Sequence, residues 1–194
     1  MKSVLVLEDF RKDQYSVRPI MQALLEAAGA RQPRVVVATE PLLTGVQQVL
    51  DWNRLRQVVD RYRGMAQIFL LVVDRDGVPG RDVALKNLEG IASKEFERSG
   101  VFFGVAAREE VEVWLLAPAV LPSRWTWQAV RSEKHPKERY FARFVAAEGL
   151  EDFPYEGREY LGTIAGNRYR TVRAKCPELR ELEQRVRTFI RKQQ

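Results

Sequence analysis

The chain has 194 residues, 45% of them hydrophobic and 30% charged, a composition that indicates a globular protein with a full core and excludes an extensively disordered chain. Its one cysteine, Cys176, excludes an internal disulfide and a cysteine-rich zinc site, and its one histidine, His135, excludes most histidine-based chemistry. If a metal is bound, we therefore expect oxygen ligands, which favours Mg²⁺, Mn²⁺ or Ca²⁺.

The apolar runs of the sequence are too short for a membrane span. The longest candidate, 65–73, has about half of the roughly 18 apolar residues that a spanning helix requires. The first apolar run, 4–7, ends at Glu8 and is too short for a signal peptide. We therefore expect no contact with a membrane and a cytoplasmic location.

The positive charge is concentrated in the last third of the chain. The formal net charge is +6, and residues 131–194 carry 15 Lys and Arg against 10 Asp and Glu, which gives +5 of that total. A basic segment of this kind suits a polyanionic partner such as nucleic acid. The same composition is equally compatible with ordinary solvated helix surfaces, in which arginine is simply a good helix former.

Strand patterns and helix patterns alternate through the first part of the chain. The predicted strands are 4–7, 34–39, 66–73 and 101–106, and the predicted helices are 14–29, 42–52, 53–63 and 83–98. Pro19 is expected in the first turn of its helix, which places the helix start near Val17. The alternation predicts an α/β fold with a mostly parallel, four-stranded, Rossmann-like sheet flanked by helices.

The second part of the chain is predicted to be mainly helical. In 108–116, Glu110, Glu112 and Trp114 alternate with apolar residues as in a strand, whereas Val111, Trp114 and Leu115 have helical spacing, so periodicity leaves both structures open. Further helices are predicted at 137–148, 157–165 and 177–191. We expect an α/β core over 1–120 and a basic helical subdomain over 121–194 that packs on it.

Two of the apolar strands end in acidic residues. Glu8 follows the first strand, and Asp74-Arg75-Asp76-Gly77 follows the third. In an Asp-x-Asp pair the intervening residue is turned away, so both carboxylates can face one metal ion, and Glu8 would be a general base or third ligand if the two strands adjoin. The alternative is an ordinary surface turn, for which Asp-Arg-Asp-Gly is equally suitable.

These motifs resemble the TOPRIM domain of topoisomerases, primases and the overcoming-lysogenization-defect class of nucleases. The segment 104–117 (GVAAREEVEVWLLA) also resembles the A-x-R-E-x-E-x-W-L-L segment of a bacterial TOPRIM-like family of unknown function. Two further segments of that family are similar to Pro136-Lys137 and to Cys176-Pro177-Glu178-Leu179. The resemblance spans most of the chain and favours a helix at 108–116.

The resemblance implies a metal-dependent phosphoryl-transfer site, specifically a nuclease that uses Mg²⁺ or Mn²⁺. By position, Glu8 would be the catalytic acid/base and could also bind the metal, Asp74 and Asp76 would be metal ligands, and Glu112 would be a supporting acid. The chain departs from the pattern next to Glu8: Asp9 replaces the usual glycine, and the following acid falls at Asp13, one place late. The roles of Asp9 and Asp13 therefore stay open.

Nucleic acid is the expected partner, and a partner protein such as an ATPase is a further expectation. The candidate nucleic-acid contacts are the basic residues Arg75, Arg108, Lys134, Lys137, Arg168 and Arg170. Trp114 is interpreted as a core aromatic and Cys176 as an inert packed thiol. For Glu112, the alternative to a role in the site is a helical ion pair with Arg108.

Two other function classes are compatible with the sequence. One is a catalytically silent TOPRIM-like partner or nucleic-acid-binding protein of a defence or mobile-element system. The other is a receiver-like regulatory domain, with Glu8-Asp9 as its acidic pair and Asp74 as its phosphoacceptor. The long interval from Glu8 to Asp74 and the lack of a lysine after a fifth strand argue against the receiver.

Overall fold

The computed structural model of the protein describes residues 1–96 and 100–193, and these form four strands and the helices that surround them. The first part contains β1 (Lys2–Leu7), α1 (Phe10–Ala27), β2 (Arg34–Val37), α2 (Val46–Val49), α3 (Trp52–Tyr62), β3 (Ile68–Asp74), α4 (Arg81–Phe96) and β4 (Val101–Ala107). The second part contains α5 (Glu112–Leu116), α6 (Trp127–Ser132), a π-helical turn (Lys137–Phe141), α7 (Ala142–Ala147), α8 (Arg158–Asn167), α9 (Tyr169–Lys175) and α10 (Pro177–Lys192).

The four strands form one parallel sheet in the order β2-β1-β3-β4, which confirms the predicted α/β fold. In the register of the two central strands, Leu5 lies opposite Leu70 and Leu7 lies opposite Val72. The chain runs from β1 outward to β2 and then returns across β1 to β3. The junction of β1 and β3 is therefore the point where the strand order reverses, and open α/β sheets bind ligands beyond the carboxyl ends of the strands at such a point.

Both faces of the sheet are covered, which explains why its strands are continuously apolar. Leu5 and Leu70 point toward the face that is covered by α1 and the C-terminal helices. Val4 and Leu71 point toward the opposite face, which is covered by α3 and α4. The C-terminal helices share a single hydrophobic cluster with α1 and the sheet, so they pack on the core.

Helix α1 begins earlier than the sequence predicts. Asp9 caps it by accepting a hydrogen bond from the backbone N–H of Arg11 at 3.1 Å, so the helix starts at Phe10 and Pro19 lies in its interior. The prediction of a start near Val17 was wrong because a proline inside a helix costs stability without necessarily ending the helix. The carboxylates of the first turn are consequently fixed to the end of β1.

The ambiguous segment 108–116 is helical only over its second half. Glu109 has a left-handed φ of +64°, which forms a turn after β4, and α5 then covers Glu112–Leu116. The strand alternative is thereby excluded for this segment. The predicted helix at 83–98 extends from Arg81 to Phe96, and its last predicted residues, 97 and 98, lie outside the described residues. Helices α6 and α9 were not predicted.

Within residues 1–96 and 100–193, no helix combines the length and the apolar character needed to traverse a membrane.

Candidate functional site

Two acidic strand ends meet at the point where the strand order reverses. Glu8 directly follows β1, and Asp74 ends the adjacent strand β3. Both side chains line a pocket of about 120 Å³. Six carboxylates and three cationic side chains surround this acidic pocket: Glu8, Asp9, Asp13, Asp74, Glu110 and Glu112, with Lys12, Lys137 and Arg158. The expectation that β1 and β3 adjoin and gather acids in one crevice is confirmed.

Asp74 contributes the carboxylate at the end of β3 to the acidic pocket. Its Oδ1 accepts a hydrogen bond from the backbone N–H of Val111 at 2.9 Å, which ties the end of β3 to the loop after β4. Burial raises the pKa of Asp74 well above its usual range, and the charges of Glu112 and Asp13 raise it further. Asp74 therefore lies where negative charge is already crowded.

Asp13 enters the pocket from the first turn of α1. Burial raises the pKa of Asp13 from 3.8 to about 7, with additional contributions from Glu112 and Asp9. The sequence left its role open. The signal that could have found Asp13 is its distance from Asp9 in the sequence. Asp9 caps α1 directly after β1, so an acid four residues later lies in the first turn of the helix, close to the end of β1.

Glu112 is held by an arginine that sequence reasoning did not find. Its Oε1 accepts a hydrogen bond from Nη2 of Arg158 at 2.6 Å, and both side chains are almost completely buried. Arg158 also lies over the ring of Phe141, with 5.0 Å between the guanidinium carbon and the ring centroid. The proposed helical pair with Arg108 is wrong, because Arg108 precedes α5 and is exposed.

Glu110 is a further member of the pocket that the sequence did not suggest. Its Oε2 accepts a hydrogen bond from the backbone N–H of Lys137 at 2.7 Å and so caps the π-helical turn. Burial nevertheless raises the pKa of Glu110 to about 7, because this bond only partly offsets the lost hydration. In the sequence Glu110 and Glu112 alternate with apolar residues in the same way, so this pattern does not show which of them enters the pocket.

Glu8 lies between the acidic pocket and a buried arginine. Its Oε1 accepts a hydrogen bond from the backbone N–H of Val46 at 3.1 Å. Its Oε2 is buried without a hydrogen bond of normal geometry among the described residues, and Nη1 of Arg81 lies 3.6 Å from it. Burial raises the pKa of Glu8 although the charge of Arg81 acts in the opposite direction.

Asp74 and Asp76 do not face the same place. Asp76 follows the strand end in a left-handed conformation, with φ of +48°, and its Oδ2 lies 2.8 Å from Nη2 of Arg81. The expectation that both carboxylates face one ion fails in this arrangement, because the turn directs Asp76 toward α4 while Asp74 remains over the pocket. Whether Asp76 also binds a metal stays a prediction.

The carboxylate of Glu109 fixes the turn that contains these acids. Its Oε2 accepts a hydrogen bond from the backbone N–H of Gly77 at 2.6 Å, and its Oε1 pairs with Arg75. The backbone N–H of Asp76 donates to the carbonyl of Glu109 at 3.0 Å. Gly77 has φ of +66°, as the expected tight turn requires.

The potential metal ligands around the acidic pocket are carboxylate oxygens. Among the residues that the structure describes, no group of three or more His, Cys, Asp or Glu side chains is already arranged to hold a metal ion. The acidic pocket nevertheless has the chemistry that a hard divalent cation prefers, since it offers several carboxylates. A cation would also relieve the repulsion around Asp74.

The six candidate nucleic-acid contacts lie at several places on the molecule. Arg75 and Arg108 line a cleft of about 440 Å³ between α4, β4 and α10, and Lys137 lines the acidic pocket. The other three are exposed residues of the C-terminal part: Lys134, Arg168 and Arg170. Arg168 donates a hydrogen bond to the carbonyl of Pro118 at 3.3 Å.

Trp114 and Cys176, two residues in the segments that carry the family resemblance, both lie in the core. Trp114 is fully buried, which confirms the core interpretation, and its Nε1 donates a hydrogen bond to Glu178 at 2.9 Å. Cys176 is also fully buried, and burial raises the pKa of its thiol, which disfavours the reactive thiolate.

Comparison of the chain with protein-family models, with curated proteins and with solved structures finds no match. The site is therefore interpreted from its own chemistry.

Proposed function

We propose that the chain is a metal-dependent phosphoryl-transfer enzyme related to TOPRIM proteins, specifically a nuclease that acts on DNA or RNA with Mg²⁺ or Mn²⁺. The observation that carries the proposal is the acidic pocket, in which six carboxylates meet three cations beyond the ends of β1 and β3. Charge of this density at the reversal point of an open sheet suits a divalent cation and an anionic substrate.

In this proposal Asp74 and Asp13 would hold the ion, and Glu8 would be either a third ligand or the base that accepts a proton. When bound, such an ion would supply positive charge that offsets the charge of the phosphate and would make a nucleophilic water available at neutral pH. Arg158 keeps Glu112 in place at 2.6 Å, which limits the repulsion that the pocket contains. Lys12 and Lys137 at the pocket rim would attract the phosphate backbone.

The proposed substrate accounts for the charge distribution of the chain. The excess of Lys and Arg over 131–194 would supply attraction to nucleic acid that does not depend on its sequence. A partner protein such as an ATPase and a cytoplasmic location belong to the same proposal.

A cleavage assay with a matched pair of variants tests the proposal. Labelled single-stranded DNA, duplex DNA and RNA are incubated with the protein in Mg²⁺, in Mn²⁺ and in EDTA. We expect cleavage only with a divalent ion, lost in Asp74→Asn and unchanged in Asp152→Asn, which alters an exposed acid. Cleavage in EDTA, or full activity of Asp74→Asn, would contradict the proposal.

A non-catalytic TOPRIM-like binding protein of a defence or mobile-element system is the second candidate. The observation that favours it is that Glu8, Asp76 and Glu112 each lie beside an arginine, so three of the four acids suggested by the sequence have a cationic partner without a metal. Tight binding of labelled nucleic acid by wild type and Asp74→Asn alike, with no cleavage under any ionic condition, would favour this candidate.

A receiver-like domain is less compatible with the topology. The order β2-β1-β3-β4 is that of the first four strands of a receiver, in which a fifth strand follows. Here the described chain after β4 continues as helices α5 to α10. Incubation with a small phosphodonor distinguishes the two, since a stable acyl phosphate on Asp74 would contradict the nuclease proposal.

A further inference from the structure

Arg81, the first residue of α4, is a buried cation at the edge of the candidate site. Only 8% of the residue is exposed. Its guanidinium contacts three oxygens: Asp76 Oδ2 at 2.8 Å from Nη2, Glu8 Oε2 at 3.6 Å from Nη1, and the backbone carbonyl of Asp74, which accepts a hydrogen bond from Nη1.

This position is unfavourable for an arginine considered alone. The N-terminus of a helix carries partial positive charge, so a cation there is repelled, and burial removes the hydration of the guanidinium. Two carboxylates and one carbonyl must therefore compensate for both effects. The oxygens contributed by Glu8, Asp74 and Asp76 thus hold a cation at the junction of β1 and β3.

The same oxygens are what a hard divalent cation uses. The two carboxylates and the backbone carbonyl around the Arg81 guanidinium are hard oxygen donors, the ligand type that suits Mg²⁺ and Mn²⁺. Two-metal phosphoryl-transfer sites place their ions about 4 Å apart between shared carboxylates. Glu8 is such a shared residue, because it lines the acidic pocket on one side and approaches Arg81 on the other.

We propose that Arg81 takes the place of a second metal ion, filling the cation site formed by Glu8, Asp76 and the carbonyl of Asp74. The inference rests on the proposed function, and it makes the reaction dependent on one ion, in the acidic pocket. Arg81 is a positioning residue, and Asp76 is its partner rather than a metal ligand. Unlike a metal ion, a guanidinium stays in place in EDTA and is charged at every physiological pH.

The number of Mn²⁺ ions bound by the metal-free protein tests the inference without an activity measurement. The free Mn²⁺ signal in electron paramagnetic resonance gives this number for wild type and for Arg81→Gln, which removes the charge but keeps a polar side chain. We expect Arg81→Gln to bind one ion more than wild type. Arg81→Lys restores the charge and is expected to bind the wild-type number.

Arg54→Gln is the matched control for the lost positive charge, because Arg54 is an exposed residue of α3. It should bind the wild-type number of ions. No gain of an ion in Arg81→Gln, or the same gain in Arg54→Gln, would overturn the inference. If Arg81→Gln is unfolded in EDTA, circular dichroism decides: refolding by Mn²⁺ supports the inference, and a variant that stays unfolded in Mn²⁺ overturns it.

The outcome for the proposed function is read separately, from wild type and Asp74→Asn. Wild type that binds no Mn²⁺ overturns the metal-dependent function, whatever Arg81→Gln does. Wild type that binds an ion, lost in Asp74→Asn, supports the function even if Arg81→Gln gains nothing. In wild type that binds Mn²⁺, Asp76→Asn is expected to keep the full number of ions, and loss of an ion would show that Asp76 is a metal ligand and overturn the role assigned to Arg81.

Discussion

Single ion pairs determine how much unbalanced charge the acidic pocket contains. Glu112 and Arg158 are only 5% and 2% exposed at their side chains, so neither charge is well hydrated. Removal of one partner of such a pair leaves the other buried and uncompensated. We expect Arg158→Met to lower the free energy of unfolding by about 3–5 kcal/mol, measured by urea denaturation in EDTA.

The control for this prediction is Arg170→Met, which removes an exposed arginine of α9. Its effect should stay within about 0.5 kcal/mol. The double variant Arg158→Met/Glu112→Leu should recover part of the stability lost in Arg158→Met, because no buried charge is then left unpaired. A loss below about 1 kcal/mol in Arg158→Met would show that water reaches Glu112.

Asp13 makes stability depend on pH in an identifiable direction. Because the folded-state pKa of Asp13 is raised from 3.8 to about 7, the folded protein binds more protons than the unfolded chain between these values. The free energy of unfolding contributed by this group therefore falls as pH rises through this window. In EDTA, we expect Asp13→Asn to flatten that fall, measured by denaturation across the window.

Asp152→Asn is the matched control for the pH experiment, since Asp152 is exposed. It should leave the pH profile of wild type unchanged. A profile of Asp13→Asn that falls as steeply as wild type would mean that Asp74, Glu110 or Glu8 is responsible, because burial raises the pKa of these residues as well.

At the scale of elements, the contact between α1 and α8 positions the pocket. Gly162 of α8 lies so close to α1 that an added Cβ would be 2.1 Å from the carbonyl oxygen of Tyr15. Pro19, four residues after Tyr15, has no N–H to bond that carbonyl, so the close approach falls where the helix ladder is interrupted. The contact also fixes Arg158 at the start of α8, beside Glu112.

Gly162→Ala is therefore expected to be destabilising although alanine favours helices. The added methyl group must push two backbones apart, which costs about 1–3 kcal/mol, measured as a shift in the denaturation midpoint. Gly90→Ala is the internal comparison, because a Cβ at Gly90 of α4 would meet nothing within 4 Å. That change should stabilise by about 0.5–1 kcal/mol. Equal effects of the two substitutions would contradict the packing argument.

The sheet could be predicted from sequence because its strands are unbroken apolar runs that both faces bury. The start of α1 could not, because Pro19 is compatible with a first turn and with a helix interior, and only the capping by Asp9 and the contact with α8 decide between them. The segment 108–116 was ambiguous for a similar reason. The left-handed residue Glu109 lies between the end of β4 at Ala107 and the start of α5 at Glu112, and periodicity does not show this break.

At the scale of the whole molecule, the site is assembled from segments far apart in sequence. Glu8 and Asp74 could be placed together because each ends an apolar strand of one parallel sheet. Arg81 and Arg158 could not be assigned to the site from the sequence. An arginine near a helix start gives no periodic signal, and its partner is determined by long-range packing. For Asp76, one left-handed backbone angle directs the carboxylate to Arg81, and although the Asp-Gly pattern is typical of a turn, it does not identify that partner.

The same long-range packing predicts that the chain unfolds as one unit. Apolar residues on both sides of residue 120 belong to a single cluster, and Trp114 donates a hydrogen bond to Glu178 across that point. We therefore expect one cooperative transition, with equal calorimetric and van't Hoff enthalpies.

A chain that ends at residue 120 should lose its fold, with Trp114 fluorescence shifted toward that of exposed indole. Trp52→Phe, introduced in the full-length and in the short chain, removes the only other tryptophan of 1–120, so that in the short chain the signal comes from Trp114 alone. Two separate transitions, or a folded short chain, would instead show that 121–194 is an independent domain.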